Sequence, residues 1–95
     1  MDYVANSGRM LKEKRGLPAF LVCSEGIAEK DGNLAALYVN QGVAYMYMGK
    51  QDMAVESFEK ACEIDPDDEA AKHNLELVNN SGDCTEDLII KGIDS

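Results

Sequence analysis

Apolar residues recur along this chain at the spacing of one helical face, and short polar or glycine-containing breaks divide the chain into five segments. In the clearest segment Ala54, Phe58 and Ala61 fall at positions i, i+4 and i+7, which form the buried stripe of an amphipathic helix. Charged residues occupy the opposite face of the same segment. The pattern therefore predicts five α-helices, over about residues 2–14, 17–30, 34–48, 51–63 and 68–79.

The breaks between the predicted helices are short, which limits how the helices can pack. Helices joined by a few residues lie antiparallel beside each other. Gly16 is expected to end the first helix in the left-handed conformation that glycine adopts without strain. Asn33 is expected to cap the start of the third helix. The fold class that follows is all-α, built from antiparallel helical hairpins.

Spaced small and aromatic residues mark the third and fourth predicted helices as one unit. These residues are Tyr38, Gly42, Tyr45, Ala54, Phe58, Ala61 and Pro66. Their spacing resembles the tetratricopeptide repeat, whose pattern is W-x2-L-G-x2-Y, then A-x3-F, then P. Gln41 departs from that pattern, which has leucine at this place. Gly42 and Ala54 are small enough for the two helices to cross closely, which supports the resemblance on physical grounds.

The resemblance extends more weakly to both sides of this unit. Gly8 lies 34 residues before Gly42, and Val4 and Leu11 then take the two flanking aromatic places. The second helix fits the pattern only with one residue inserted. The resemblance implies a short right-handed superhelix over residues 1–80, followed by a tail. The parts are a degenerate repeat at 1–34, a full repeat at 35–68, a capping helix at 69–80 with a polar outer face, and the tail at 81–95.

The third predicted helix has an uncharged surface, because no charged residue lies between Gly32 and Gly49. Such a helix has two apolar stripes, and one of them forms an exposed apolar surface that favours association unless another part of the chain or a partner covers it. The resemblance implies that this face lines a concave groove that binds a protein or peptide partner. The predicted partner-binding residues are Ala36, Val39, Asn40, Val43, Met46 and Tyr47, flanked by Arg9, Lys12, His73, Asn74 and Leu77.

Two alternatives stay open for this face. Flanking helices or the tail could cover it, which would make it part of the core. A second copy of the chain could cover it instead, which would make the protein a self-assembling structural unit. The tail has apolar residues that also need cover, either on the fifth helix or, as a homodimer, in the groove of a second copy. They are Leu88, Ile89, Ile90 and Ile93.

The groove residues do not match one known subtype of the family. Members that grip a C-terminal carboxylate use Lys, Asn, Asn, Lys and Arg along the groove. Only Asn40 agrees here, and the other four places hold Ala5, Arg9, Ala70 and Asn74. A mostly apolar or mixed peptide is therefore the expected partner.

Composition and charge argue against several other functions. Residues 1–34 carry no net charge and residues 35–95 carry the whole net charge of -9, which disfavours binding to nucleic acid. The three cysteines are odd in number and far apart, and the start shows no secretory signal, so a cytoplasmic location is expected. The uncharged run contains asparagine, glutamine and tyrosine, which disfavour a membrane span.

No set of catalytic or metal-binding residues emerges from the sequence. His73 is the only histidine, and nothing places it beside Cys62 or Cys84 to activate a nucleophile. Acidic residues from Asp65 onward have the spacing of a calcium loop, but Ala70 stands where that loop requires glycine. We therefore expect an acidic adaptor or scaffold protein with no enzyme activity, no metal site and no cofactor.

Overall fold

The structure, a computed structural model, describes residues 2–30, 32–81 and 85–93. The described part contains five α-helices and no strand, as the apolar spacing predicts. The helices are α1 (Tyr3–Lys12), α2 (Gly16–Glu29), α3 (Leu34–Tyr47), α4 (Gln51–Ile64) and α5 (Glu69–Ser81), followed by a single 3-10 turn, Thr85–Asp87. Within the predicted tail, Cys84 and residues 82–83 and 94–95 lie outside the described residues.

Consecutive helices pack against each other along the chain, which gives the predicted hairpins. Helix α3 contacts all four other helices and is the centre of the fold. Helices α1 and α5 also pack on α3, and residues of all three contact the chain between Ile89 and Gly92. The face formed by α1, α3 and α5 is therefore the side on which a groove can form.

The hairpin of α3 and α4 is held by the close crossing that the sequence predicts. A Cβ atom added at Gly42 would overlap the ring of Phe58, and the Phe58 side chain is completely buried. Gln41, which departs from the family pattern, has a polar partner across the same contact. Its Oε1 atom accepts a hydrogen bond of 2.9 Å from the hydroxyl of Ser57. The glutamine is therefore accommodated by pairing with α4 rather than by apolar packing.

The first hairpin is shifted by one residue from the predicted register. Tyr3, not Val4, packs against α2, since a Cβ atom added at Gly26 would lie 2.8 Å from the Tyr3 ring. Ser7, not Gly8, occupies the close crossing, where it is fully buried and hydrogen-bonded to Cys23. The predicted register was wrong because both registers, Tyr3 with Ser7 and Val4 with Gly8, place an apolar residue four positions before a small one.

The turns between helices follow local chemistry, with one correction. Asn33 caps α3 as predicted, and its side chain accepts a hydrogen bond of 3.1 Å from the Ala36 amide. Gly16 does not supply the left-handed residue after α1. Lys14 does so, with φ of 61°. Gly16 begins α2 instead, where an added Cβ atom would lie 3.1 Å from Cβ of Tyr47.

The buried thiol between α1 and α2 predicts a dependence of stability on pH. Burial raises the pKa of Cys23 from 9.0 to about 11, and the hydrogen bond with Ser7 partly opposes that rise. The unfolded chain thus loses the thiol proton before the folded chain does. The stabilisation is complete below pH 9 and is lost as the pH rises toward about 11.

We expect the free energy of unfolding to fall by about 2 kcal/mol across that interval because of Cys23 alone. Urea titrations of the wild type and of Cys23→Ala, at about pH 8.5 and at about pH 10.5, measure this contribution. The variant lacks the thiol but keeps every other titrating group. Equal losses in the two proteins would show that Cys23 does not carry the effect.

Candidate functional site

Two buried asparagines stand on the face formed by α1, α3 and α5. Asn40 lies on α3 and Asn74 lies on α5, and both side chains are completely buried. They are 34 residues apart, so they take the same place in successive repeat units. Buried amides need hydrogen-bond partners, and both asparagines find them in the backbone of the chain's own C-terminal segment. We call residues 85–93 the groove segment.

Asn74 binds both polar groups of one residue of the groove segment. Its Oδ1 atom accepts a hydrogen bond of 2.8 Å from the Ile89 amide, and its Nδ2 atom donates one of 2.9 Å to the Ile89 carbonyl. The neighbouring His73 lies on the same helix, and its Nε2 atom is 2.9 Å from the carbonyl oxygen of Asp87. Helix α5 therefore holds the start of the segment through backbone atoms.

Asn40 repeats the same arrangement two residues further along. Its Oδ1 atom accepts a hydrogen bond of 2.8 Å from the Lys91 amide, and its Nδ2 atom donates one of 3.0 Å to the Lys91 carbonyl. The second amide hydrogen goes to the hydroxyl of Ser7, at 2.9 Å. In an extended chain alternate residues point their polar groups to the same side. The two asparagines thus recognise an extended backbone at positions i and i+2.

The end of the segment passes α1 at very short range. A Cβ atom added at Gly8 would lie 2.5 Å from the carbonyl oxygen of Lys91. Gly92 has φ of 81°, and a Cβ atom there would lie 2.6 Å from Cγ1 of Val4. Two glycines, one on each side, therefore permit the approach. The segment crosses α5, then α3, then α1, and it lies in the groove between them.

Side chains of the segment alternate between the groove and solvent. Leu88 is buried and belongs to the main apolar cluster, and Ile90 packs partly against the same cluster. Ile89, between them, is 40% exposed. This alternation has the period of an extended strand. The tail therefore lies across the groove, with contacts to α1 and α3 as well as to the predicted cap, α5.

One charged contact accompanies the backbone clamp. The Nζ atom of Lys91 lies 3.5 Å from Oδ1 of Asp68, whose side chain is 3% exposed. The same Oδ1 atom caps α5 by accepting hydrogen bonds from the amides of Ala70 and Ala71, at 2.9 and 3.3 Å. A buried carboxylate favours a cation beside it. The Lys91 ammonium group therefore lies beside the buried carboxylate of Asp68 at this position of the groove.

The predicted apolar floor of the groove is covered in the structure. Val39 and Val43 are completely buried, and Met46 is 7% exposed. Val39 packs in a cluster with residues of α4 and α5, while Val43 and Met46 belong to the main cluster that also contains Leu88. Helices and the groove segment therefore enclose these three side chains in the structure. Their role as partner-binding residues stays a prediction.

Other predicted site residues lie around the ends of the groove. Ala36 is buried and lines a cavity of about 590 Å³ together with Lys91 and Gly92. Arg9 and Lys12 are exposed beside Ile93, where they line a smaller cavity of about 300 Å³. These cavities show that the segment does not fill the whole face.

The two remaining predicted residues have different surroundings. Leu77 is half-buried and packs on the main apolar cluster. Tyr47 lies against the start of α2, with the Nζ atom of Lys14 at 5.9 Å from its ring centre. Partial burial raises the pKa of Tyr47. Neither residue has a hydrogen bond to the groove segment among the contacts described.

Sequence reasoning missed three residues that contact the segment, Val4, Gly8 and Asp68. The one-residue shift of the first hairpin explains the first two, since it moves Val4 and Gly8 from the hairpin contact to the groove. With that shift they also replace Ala5 and Arg9 at the places compared with the carboxylate clamp. Val4 and Gly8, like Ala5 and Arg9, include no lysine or asparagine. The residues of the carboxylate clamp are therefore missing in either register.

The architecture defines the class of protein as a short array of helical hairpins with a groove on one face. The family model of the tetratricopeptide repeat matches residues 35–68. The chain therefore carries a tetratricopeptide repeat, which confirms the resemblance, and such repeats generally mediate interactions between proteins. Searches among curated proteins and among solved structures found no match. Among the described helices none is long and apolar enough to cross a membrane.

Proposed function

We propose that this chain is a non-catalytic adaptor that binds an extended segment of a partner protein in the groove formed by α1, α3 and α5. The observation that carries the proposal is the pair of buried side-chain amides, Asn40 and Asn74, each of which is hydrogen-bonded to both the amide and the carbonyl of one residue. Such contacts read the backbone, so a foreign extended peptide satisfies them as well as the groove segment does.

Charge and cysteine chemistry support the setting of this function. The net charge of -9 disfavours nucleic acid as the partner. Cys23 and Cys62 are both free thiols, which fits a reducing compartment such as the cytoplasm. Burial raises the pKa of both thiols and so keeps them protonated and unreactive near neutral pH.

A matched pair of substitutions on α5 tests the groove. Peptides are first selected from a display library of extended nine-residue segments, using the whole chain as bait. Their affinities are then measured by fluorescence anisotropy for wild type, Asn74→Ala and Asn79→Ala. Asn79 is exposed on the same helix, so it controls for the loss of an asparagine there.

We expect Asn74→Ala to weaken binding by about 10- to 100-fold, because two hydrogen bonds to the peptide backbone are lost. Asn79→Ala should bind as the wild type does. Peptides that bind both variants equally well would place the binding site outside this groove.

Self-assembly is the second candidate, and the groove segment itself favours it. A segment that fits the groove of its own chain also fits that of a second copy, and exchange of this kind forms dimers. Sedimentation velocity over a wide range of protein concentration separates the candidates. A mass that stays at 10.4 kDa throughout excludes self-assembly, whereas a mass that doubles as concentration rises supports it.

A further inference from the structure

We infer that the groove segment is a built-in competitor that keeps the groove closed, and that the partner carries a sequence of the same kind. That sequence reads apolar, any residue, apolar, Lys, Gly, apolar, as residues 88–93 do, and its glycine takes the positive φ of Gly92. The inference rests on the proposed function and adds to it both the chemistry of the partner and a form of regulation. It is carried by three properties of the bound segment.

The first property is that the helices hold the segment mainly through its backbone. Four hydrogen bonds from Asn40 and Asn74 reach the peptide groups of Ile89 and Lys91. A stretch that belongs to a core normally contributes buried apolar side chains, and in residues 85–93 only Leu88 is buried. Most of the segment thus lies, as a bound ligand does, on the surface of helices that already pack on each other.

The second property is that the remaining contacts define a sequence. Leu88 enters the apolar cluster, and the ammonium group of Lys91 meets the buried carboxylate of Asp68. Gly92 is required by its φ of 81° and by the closeness of Val4. Ile89 faces solvent, so its place accepts many residues.

The third property is that the segment and a partner peptide need the same atoms. Both hydrogens of the Asn40 side-chain amide are engaged while Lys91 is bound, one by the Ser7 hydroxyl and one by the Lys91 carbonyl, and the Lys91 amide donates to its Oδ1 atom. A partner therefore binds at this site only when the segment leaves. Release of the segment should activate the groove.

The test adds a labelled peptide of residues 85–93 to the whole chain and to variants that release the segment. Leu88→Asp places a charge in the apolar cluster, and Gly92→Val cannot adopt the required backbone beside Val4. Ile89→Asp is the matched control, because it makes the same change one residue away at an exposed site. Far-UV circular dichroism establishes that each variant keeps its helices.

We expect the peptide to bind Leu88→Asp and Gly92→Val on the order of 100-fold more tightly than it binds the wild type or Ile89→Asp, which keep the competitor. Adding Asn74→Ala to either released variant should abolish the gain. Equal binding, or no binding, in folded wild type and Gly92→Val would overturn the inference and make the segment a fixed part of the fold.

A further comparison separates this failure from failure of the proposed function. Library peptides are selected on the wild type and on Gly92→Val in parallel. Peptides that depend on Asn74 and bind both proteins equally support a peptide-binding groove but contradict a competitor. Peptides enriched in the apolar-x-apolar-Lys-Gly pattern only on Gly92→Val support both. If neither selection yields a peptide that depends on Asn74, the proposed function itself is wrong.

Discussion

Replacing Phe58 by alanine is expected to lower the free energy of unfolding by about 3–5 kcal/mol, the usual cost of removing a fully buried phenylalanine. Its ring is completely buried and fills the crossing of α3 and α4 at Gly42. A domain of this size has a total stability of about 5–15 kcal/mol, so the change removes a large part of it. Urea unfolding followed by circular dichroism measures the loss. Met53→Ala, at a 43% exposed position of the same helix, should cost far less.

A double-mutant cycle shows whether the ring and the glycine act as one unit. Gly42→Ala should destabilise the wild type, because the added methyl group overlaps the ring of Phe58. In the Phe58→Ala background the methyl group enters the empty space instead. We therefore expect the double variant to be more stable than the two single losses predict. Strict additivity of the two losses would contradict the close crossing.

The second large effect is expected at Asn40. Asn40→Ala leaves the amide and carbonyl of Lys91 without their partner and removes one of the hydrogen bonds of the Ser7 hydroxyl. Each polar group that stays buried without a hydrogen bond costs about 1–3 kcal/mol. We expect the free energy of unfolding to fall by about 3 kcal/mol in total. The loss is not larger because the groove segment can detach and form hydrogen bonds with water instead.

Hydrogen exchange shows where that loss arises. In Asn40→Ala the Lys91 amide should exchange much faster than in the wild type. Amides in the centre of α4 should still exchange only through global unfolding, at the rate that the free energy of unfolding of the variant sets. Asn6→Ala is the control, since Asn6 is bonded to the side chain of Arg9 on the same helix. If the two asparagine variants lose equal stability, the backbone clamp is not a source of it.

Local spacing was enough to predict the helices, because helix formation and face burial depend on residues three or four positions apart. The resemblance to the repeat family implied that Asn40 and Asn74 lie along the groove, and the two asparagines take the same place in successive units. What spacing does not fix is a one-residue shift within a weak repeat. Packing of Tyr3 against Gly26 decided that register, and such packing involves residues far apart in sequence.

The pattern of residues left open that the tail covers the uncharged face of α3, but it did not give the contacts by which residues 85–93 dock there. Leu88 and its neighbours needed cover, and the fifth helix or the groove of a second copy was the predicted cover for them. Asparagines that bind peptide groups leave no mark on the sequence of the bound segment, because every residue except proline offers the same amide and carbonyl. Leu88, Lys91 and Gly92 each carry a requirement for their residue type. The requirements at Lys91 and Gly92 originate in Asp68 and Val4 and become visible once the helices are packed.

The short connection between α5 and the groove segment sets a concentration scale for any partner. Only residues 82–84 separate Ser81 from Thr85, and a ligand held by so short a link is present at its own site at a local concentration on the order of millimolar. Dilution of the protein leaves that value unchanged. A foreign peptide at about 1 μM must then bind about 1,000-fold more tightly than the segment does to occupy half of the grooves. A partner that also grips a second surface of the chain meets that requirement with weaker contacts in the groove.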